Sequence, residues 1–120
     1  MSEQTLNPAG YHILLALADG EAHGYALMSA IEELSGGTVR MGPGTLYGTI
    51  KRLLANGLIE ESDERPDEEL DDRRRRYYRI TAAGRTAVSA ESVRLARLVH
   101  AAERRGLLPR GLRPQLGGAS

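Results

Sequence analysis

The hydrophobic periodicity of this chain changes twice, and the two changes restrict its fold more than any other feature. Apolar residues first recur at helical spacing in three short segments, which open at Asn7, at His23 and at Pro43. The spacing then becomes alternating, as in two strands joined by the acidic segment 63–72. Helical spacing returns over 82–105. We therefore predict three short helices, a two-stranded ribbon and one long helix.

This order of elements is that of a winged helix-turn-helix with an added C-terminal helix, a mainly α architecture with a small β-wing. The predicted domains are a winged-helix DNA-binding domain at 6–81, a dimerisation helix at 82–105 and a disordered tail at 106–120. At 1.5 Å per residue the last helix would be roughly 36 Å long, which is longer than so small a core covers. We therefore expect a second copy of the chain to cover part of it, as in a homodimer.

Composition excludes most catalytic chemistry. The chain of 120 residues contains no Cys, which excludes disulfides, thiolate metal sites and Cys nucleophiles. The three His lie in separate predicted elements, so we expect no metal site. The sequence also contains no ordered catalytic set and no phosphate-cradling loop, so we expect no cofactor and no enzyme. The longest apolar run, Ile13 to Ala18, is far shorter than the roughly 20 residues that span a bilayer. We expect a cytoplasmic protein without a membrane partner.

The formal net charge of zero hides two oppositely charged halves. Residues 1–72 carry 14 acidic and 4 basic side chains, a balance of −10, whereas residues 73–120 carry 2 acidic and 12 basic ones, a balance of +10. Such asymmetry indicates a polyanionic partner. No acidic residue occurs between 35 and 58, the region of the third helix. This favours double-stranded DNA as the partner of that helix.

The third helix is the one that a winged helix-turn-helix offers to the major groove, and the wing follows it along the chain. On the helix we predict DNA contacts from Thr45, Tyr47, Thr49, Lys51 and Arg52. On the returning strand of the wing we predict DNA contacts from Arg74, Arg75, Arg76 and Tyr77. Alternatives stay open, because the two tyrosines also fit packing roles and the arginines also fit a solvated sheet edge that prevents strand pairing.

Several motifs resemble those of the PadR family of transcriptional regulators. They are Gly24-Tyr25, Pro43-Gly44-Thr45-Leu46-Tyr47, Arg52-Leu53, Gly57-Leu58-Ile59 and the run from Arg76 to Arg85. The resemblance covers roughly residues 6–100 in order and spacing. It implies a dimeric DNA-binding repressor whose long C-terminal helix packs against the partner's N-terminal helix. The short C-terminus resembles the branch of the family that has a single C-terminal helix.

The expected homodimer has a predicted interface of apolar side chains: Leu14, Val88, Leu95, Val99 and Ala102. A pore beside this interface would hold a small-molecule effector against Tyr11, Leu14, Leu95 and Val99. Multidrug-responsive members of the family stack flat ligands on a Trp, and this chain has none. An effector would therefore be aliphatic or small.

The function that these observations predict is sequence-specific regulation of transcription at an operator, as a dimeric repressor that a small-molecule effector releases. The alternative is a winged-helix adaptor that binds protein rather than specific DNA, with the acidic half contacting a basic partner. The dependence of DNA binding on salt and on sequence discriminates between the two.

Overall fold

The computed structural model describes residues 6–62 and 76–109, which form four helices and three strands. In chain order these are α1 (Pro8–Leu17), β1 (Ala22–His23), α2 (Gly24–Leu34), α3 (Pro43–Ala55), β2 (Ile59–Ser62), β3 (Tyr77–Ile80) and α4 (Ala82–Arg104). A mainly α fold with a small sheet and a long last helix confirms the predicted fold class. The chain divides into two compact units, residues 1–89 and residues 90–120.

The core of the first unit is built around α1. Asn7 caps this helix, since its Oδ1 accepts from the Gly10 backbone N–H over 2.8 Å, and Pro8 occupies the first turn. The helix packs against both α2 and α3. The buried apolar side chains of the core are Ile13, Leu14, Ala16, Leu17, Leu27, Ile31, Met41, Leu46, Ile50, Leu53, Ile59, Tyr78 and Val88. This core holds α3 in place and leaves its opposite face in solvent.

The sheet has three antiparallel strands in the order β1-β3-β2. Glu60 of β2 lies opposite Arg79 of β3, and His23 of β1 lies opposite Tyr77 on the other edge of β3. The predicted two-stranded ribbon was therefore one strand short. Periodicity cannot reveal β1 because that strand has only two residues.

The start of α4 is tied to the connection between α3 and β2. Thr81 caps α4: its Oγ1 accepts from the Gly84 N–H over 3.0 Å and donates to the Gly57 carbonyl over 2.7 Å. Gly57 has φ +74°, the left-handed conformation that commonly ends a helix. A Cβ on Gly84 would overlap the carbonyl oxygen of Leu58. Glycine at this position therefore permits the close approach of α4 to the base of the wing.

The second unit contains the rest of α4 and the residues that follow it. The Leu107 N–H donates to the Ala102 carbonyl over 2.9 Å, and Gly106 between them has φ +71°. The long helix thus ends close to the predicted position, in the same kind of glycine-dependent turn that ends α3.

Candidate nucleic-acid interface

The exposed face of α3 is composed of small and basic residues. The helix begins at Pro43, with Gly42 as its N-cap. Its buried side faces α1 and α2. The exposed residues are Pro43, Gly44, Thr45, Gly48, Lys51, Arg52 and Ala55. Because the centre of this face has almost no side-chain bulk, a DNA groove can approach the helix backbone closely.

Lys51 and Arg52 supply the positive charge of this face. Neither side chain has a carboxylate within ion-pair distance among residues 6–62 and 76–109, whereas Arg40, outside the helix, pairs with Glu32 at 3.3 Å. Arg52 lies in the last turn of α3. Both cations are therefore available to a polyanion.

The wing arginines that the structure describes are bound by glutamates of β2. Nη1 of Arg76 donates to both carboxylate oxygens of Glu61, at 2.9 and 3.2 Å. Nε of Arg79 donates to Oε2 of Glu60 at 2.8 Å. All four side chains are about half exposed, so each pair contributes about 0–1 kcal/mol. A phosphate could bind Arg76 or Arg79 only by replacing the glutamate carboxylate that already binds it. The strand register creates this competition, which the sequence alone does not reveal.

Tyr47 does not present its hydroxyl to the surface. The hydroxyl oxygen is buried where α3 meets the start of α2. A Cβ on Gly24 would overlap this oxygen and would lie 2.7 Å from Cζ of the ring. The predicted phosphate contact is therefore corrected, and the packing alternative describes Tyr47.

Thr49 also belongs to the interior. It follows Leu46 by three residues and precedes Leu53 by four, which places all three side chains on one side of the helix. Only 3% of its surface is exposed. The prediction that Thr49 contacts DNA from the polar side is corrected for this reason, and Thr45, which is exposed, stays in the predicted set.

Tyr77 is half-buried and links the wing to the helix-turn-helix. Its ring meets the ring of His23 edge to face, with centroids 5.2 Å apart and planes at 87°. His23 is the N-cap of α2, and its Nδ1 accepts from the Ala26 N–H over 3.2 Å, which requires the tautomer that leaves Nδ1 unprotonated. A DNA contact from Tyr77 stays a prediction. Arg74, Arg75 and the acidic segment 63–72 lie outside the described residues.

Two residues of the predicted dimer interface are part of the core. Leu14 is fully buried, and Val88 in the first turns of α4 is 8% exposed. Leu14 is therefore removed from both the dimer interface and the effector site, and Val88 from the interface. Leu14 is buried because α1 packs on two helices at once and so buries more than one stripe of side chains. Val88 is buried because the start of α4 contributes to the same core cluster. Tyr11, which is half-buried, stays a prediction for the effector site.

Apolar side chains of the second unit remain accessible. Leu95 and Ala102 are half-buried, and Val99 is 38% exposed. Leu98, which the sequence analysis omitted, is 56% exposed. It follows Leu95 by three residues and precedes Ala102 by four, so it extends the same stripe.

A charged pair lies beside this stripe. The Glu91 carboxylate is bound at both oxygens by Arg94, at 3.1 Å from Nε and 2.6 Å from Nη2. These hydrogen bonds hold the pKa of Glu91 below its ordinary value, and the same pair raises the pKa of Arg94. Glu91 is 7% exposed. Because ion pairs between residues i and i+3 of a helix are commonly solvated, the sequence alone does not reveal that this carboxylate is buried.

Two absences concern the described residues, 6–62 and 76–109. No three His, Asp or Glu side chains stand close enough there to hold a metal ion. None of the described helices is long and apolar enough to cross a bilayer.

The succession of α2, a short connection, α3 and the β-wing defines a winged helix-turn-helix protein. Residues 13–90 match the model of the transcriptional regulator PadR-like family. A transcriptional regulator of Mycobacterium tuberculosis is 46% identical over 80 residues, which cover 67% of this chain and 68% of that protein. This chain belongs to the PadR-like family of transcriptional regulators. Membership of that family confirms the resemblance and the expectation that the chain is not an enzyme.

A second relative is much longer than this chain. It is an uncharacterised 37.1 kDa protein in a transposon of Streptomyces fradiae, 46% identical over 92 residues. The match covers 77% of this chain and 24% of that protein, so the chain spans about a quarter of its length.

Solved structures share the fold. A transcriptional regulator from Clostridium thermocellum has a TM-score of 0.67 at 24% identity, over 80% of this chain and 87% of that one. PadR of Bacillus subtilis, solved in complex with operator DNA, has a TM-score of 0.58 at 22% identity, over 70% and 46% of the two chains. BpsR of Bordetella bronchiseptica, whose DNA binding is regulated by 6-hydroxynicotinic acid, has a TM-score of 0.65 at 25% identity, over 97% and 77%.

Proposed function

We propose that this chain is a homodimeric repressor that reads its operator with α3. The observation that carries the proposal is the exposed face of α3. Lys51 and Arg52 lie there without a carboxylate partner among the described residues, and no acidic residue occurs between 35 and 58. The operator complex of the B. subtilis protein supports DNA as the partner of this fold.

Each basic residue has a distinct proposed role. Arg52 forks onto O6 and N7 of a guanine in the major groove, the commonest specific contact of an arginine. Lys51, a point charge, contacts a phosphate. Arg76 and Arg79 of the wing contact the adjacent backbone after they exchange their glutamates for phosphates. A dimer would present two such surfaces to half-sites about one helical turn, roughly 34–36 Å, apart.

The dimer forms through the apolar stripe of the second unit. Leu95, Leu98 and Val99 expose more apolar surface than a solvated helix of this size needs, and a second copy of the chain covers it. A role at chromosomal DNA would place the protein in the cytoplasm.

We also propose that a small molecule releases the repressor. The regulation of BpsR by 6-hydroxynicotinic acid supports a ligand-controlled winged helix of similar structure. Tyr11 of the first unit, and Leu95 and Val99 of the second unit, stay predictions as effector contacts.

The test is fluorescence anisotropy with labelled DNA from upstream of the chain's own gene, between 50 and 200 mM salt. Lys51→Ala should reduce the slope of log K against log salt by about 0.9 per subunit on all sequences. Arg52→Ala should weaken operator binding about 5- to 150-fold and relax sequence preference at one position. Arg97→Ala, an exposed arginine of the second unit, is the matched control and should change neither quantity.

The proposal would be overturned by DNA binding that shows no sequence preference and is lost before the salt concentration rises to about 200 mM. That outcome would favour the protein-binding adaptor.

A further inference from the structure

A groove beside α3 shares Arg52 with the proposed DNA-reading face, and its other walls have no part in the function proposed above. It is an open groove of about 430 Å³ between the N-terminal end of α1, one flank of α3 and the first turns of α4. This volume lies within the range of about 300–1,000 Å³ that small-molecule sites occupy. Its apolar walls include Leu6, Leu53, Leu58 and Ala87, and its polar edge includes Arg52 and Asn56.

The chemistry of the walls specifies a class of ligand. Arg52 is the charged residue among those that line the groove, and no described carboxylate neutralises it. The apolar wall contains no aromatic side chain, so it cannot stack a flat ring. We propose that this groove binds an aliphatic monocarboxylate of roughly six to eight carbon atoms. The carboxylate of the ligand accepts hydrogen bonds from the Arg52 guanidinium, and the hydrocarbon part of the ligand lies against the leucines.

The length of the aliphatic chain sets the affinity. Each methylene group that moves from water into the groove strengthens binding about fourfold. Butyrate should therefore bind at least about tenfold more weakly than octanoate. Octanol, which offers the same chain without the charge, should also bind more weakly than octanoate.

Occupancy of the groove would weaken DNA binding, and this part of the proposal rests on the proposed function. Arg52 both lines the groove and belongs to the exposed face of α3. A carboxylate bound to Arg52 neutralises one positive charge on the DNA-binding face of the protein. It also occupies the guanidinium N–H groups that would otherwise bind the guanine. Ligand and operator therefore compete for the same guanidinium.

The experiment is an NMR titration of the full chain with octanoate. The backbone amides of Asn56, Leu58 and Ala87 should shift. Ala87→Leu places extra bulk in the groove and should weaken octanoate binding at least about tenfold, whereas Ala83→Leu, exposed one turn earlier on α4, should not. Arg52→Gln, an exposed change that is compatible with folding, should abolish the preference for octanoate over octanol.

A second readout tests the coupling. Octanoate should lower operator affinity and relax the sequence preference at one position, in the wild-type protein and in Ala83→Leu. Ala87→Leu should bind the operator like the wild type and should be insensitive to octanoate. Failure of the wild-type chain to bind DNA at all would refute the proposed function. The NMR titration would still show whether octanoate binds in the groove.

Three results would overturn the inference. The first is the absence of shifts at the three amides. The second is equal binding of octanoate and octanol. The third is octanoate binding to Ala87→Leu with full affinity. Octanoate binding that leaves operator affinity unchanged would refute the coupling.

Discussion

The phenol ring of Tyr47 fills the space that a side chain at position 24 would need. A Cβ built on Gly24 would overlap the Tyr47 hydroxyl oxygen and lie 2.7 Å from Cζ. Gly24 is the first residue of α2 and Tyr47 lies in the second turn of α3, so this contact sets how closely the two helices of the helix-turn-helix approach. The orientation of the proposed DNA-reading face therefore depends on a glycine 23 positions before the tyrosine that it accommodates.

Gly24→Ala should destabilise the protein by about 1–3 kcal/mol, because the new methyl group displaces the Tyr47 ring or separates the helices. Urea unfolding measures the change. Gly44→Ala is the control: among the described residues nothing lies within 4 Å of a Cβ at that position. Equal midpoints for Gly24→Ala and the wild type would mean that the two helices do not pack as described.

Gly48→Ala should stabilise the protein by about 0.5–1 kcal/mol, since glycine inside a helix is less stable than alanine and this position is open. The same change should weaken operator binding, because a methyl group would stand on the face that approaches the groove. Gly57→Ala, at φ +74°, should instead destabilise by about 1–2 kcal/mol. Thermal melts and anisotropy provide the two measurements, and unchanged affinity in Gly48→Ala would exclude close contact at this point of α3.

Glu61→Gln should raise DNA affinity and make its salt dependence steeper by up to about 0.9 per subunit, because Arg76 loses the carboxylate that competes with phosphate. Stability should fall by no more than about 1 kcal/mol, since the pair is half exposed. Arg76→Ala should have the opposite effect on the slope. If both variants keep the wild-type slope, the described part of the wing does not touch the DNA backbone.

Leu95→Glu combined with Val99→Glu should convert the proposed dimer into a monomer, because two carboxylates cannot be buried unpaired in an apolar interface. Sedimentation velocity at micromolar concentration measures the state. Ala90→Glu combined with Val93→Glu changes the same number of charges away from the stripe and should leave the dimer intact. A dimer that survives the first pair of substitutions would place the interface elsewhere.

The Glu91–Arg94 pair should contribute to stability in a pH-dependent way. Because the hydrogen bonds from Arg94 lower the folded-state pKa of Glu91, the contribution is present above the ordinary pKa of a glutamate and is lost as the pH falls through the lowered value. Arg94→Gln should raise the pKa of Glu91, as read from its carboxyl carbon by NMR. Arg97→Gln, three residues further along, should leave it unchanged.

Local signals were sufficient for the helices. The caps at Asn7 and Thr81 each act over three residues, through a side-chain oxygen that accepts from a backbone N–H. Gly57 ends α3 because its left-handed backbone conformation costs a glycine little. Interactions of such short range are specified by neighbouring residues, so the sequence alone predicts where these helices begin and end.

The width of each buried face was decided by tertiary packing. Helical periodicity marks the centre of the buried stripe on α3. Thr49 and Tyr47 lie closer to the edges of that stripe, and the neighbouring elements decide whether side chains at such positions are exposed to solvent. Leu14 is buried for the same reason, since α1 has helices on two sides. Periodicity locates a face but does not say how many elements cover it.

By itself, then, the sequence determined the order and kind of the main elements. It also showed directly the family motifs and the absence of acidic residues from α3. The pairing of Arg76 with Glu61 depends on the register of two strands joined by a long segment. The groove beside α3 brings together Leu6, Arg52 and Ala87, which lie in three separate parts of the chain. Contacts between residues so far apart along the chain exist only after the elements have packed. Tertiary structure therefore decided which arginines are paired with carboxylates and where a groove forms beside α3.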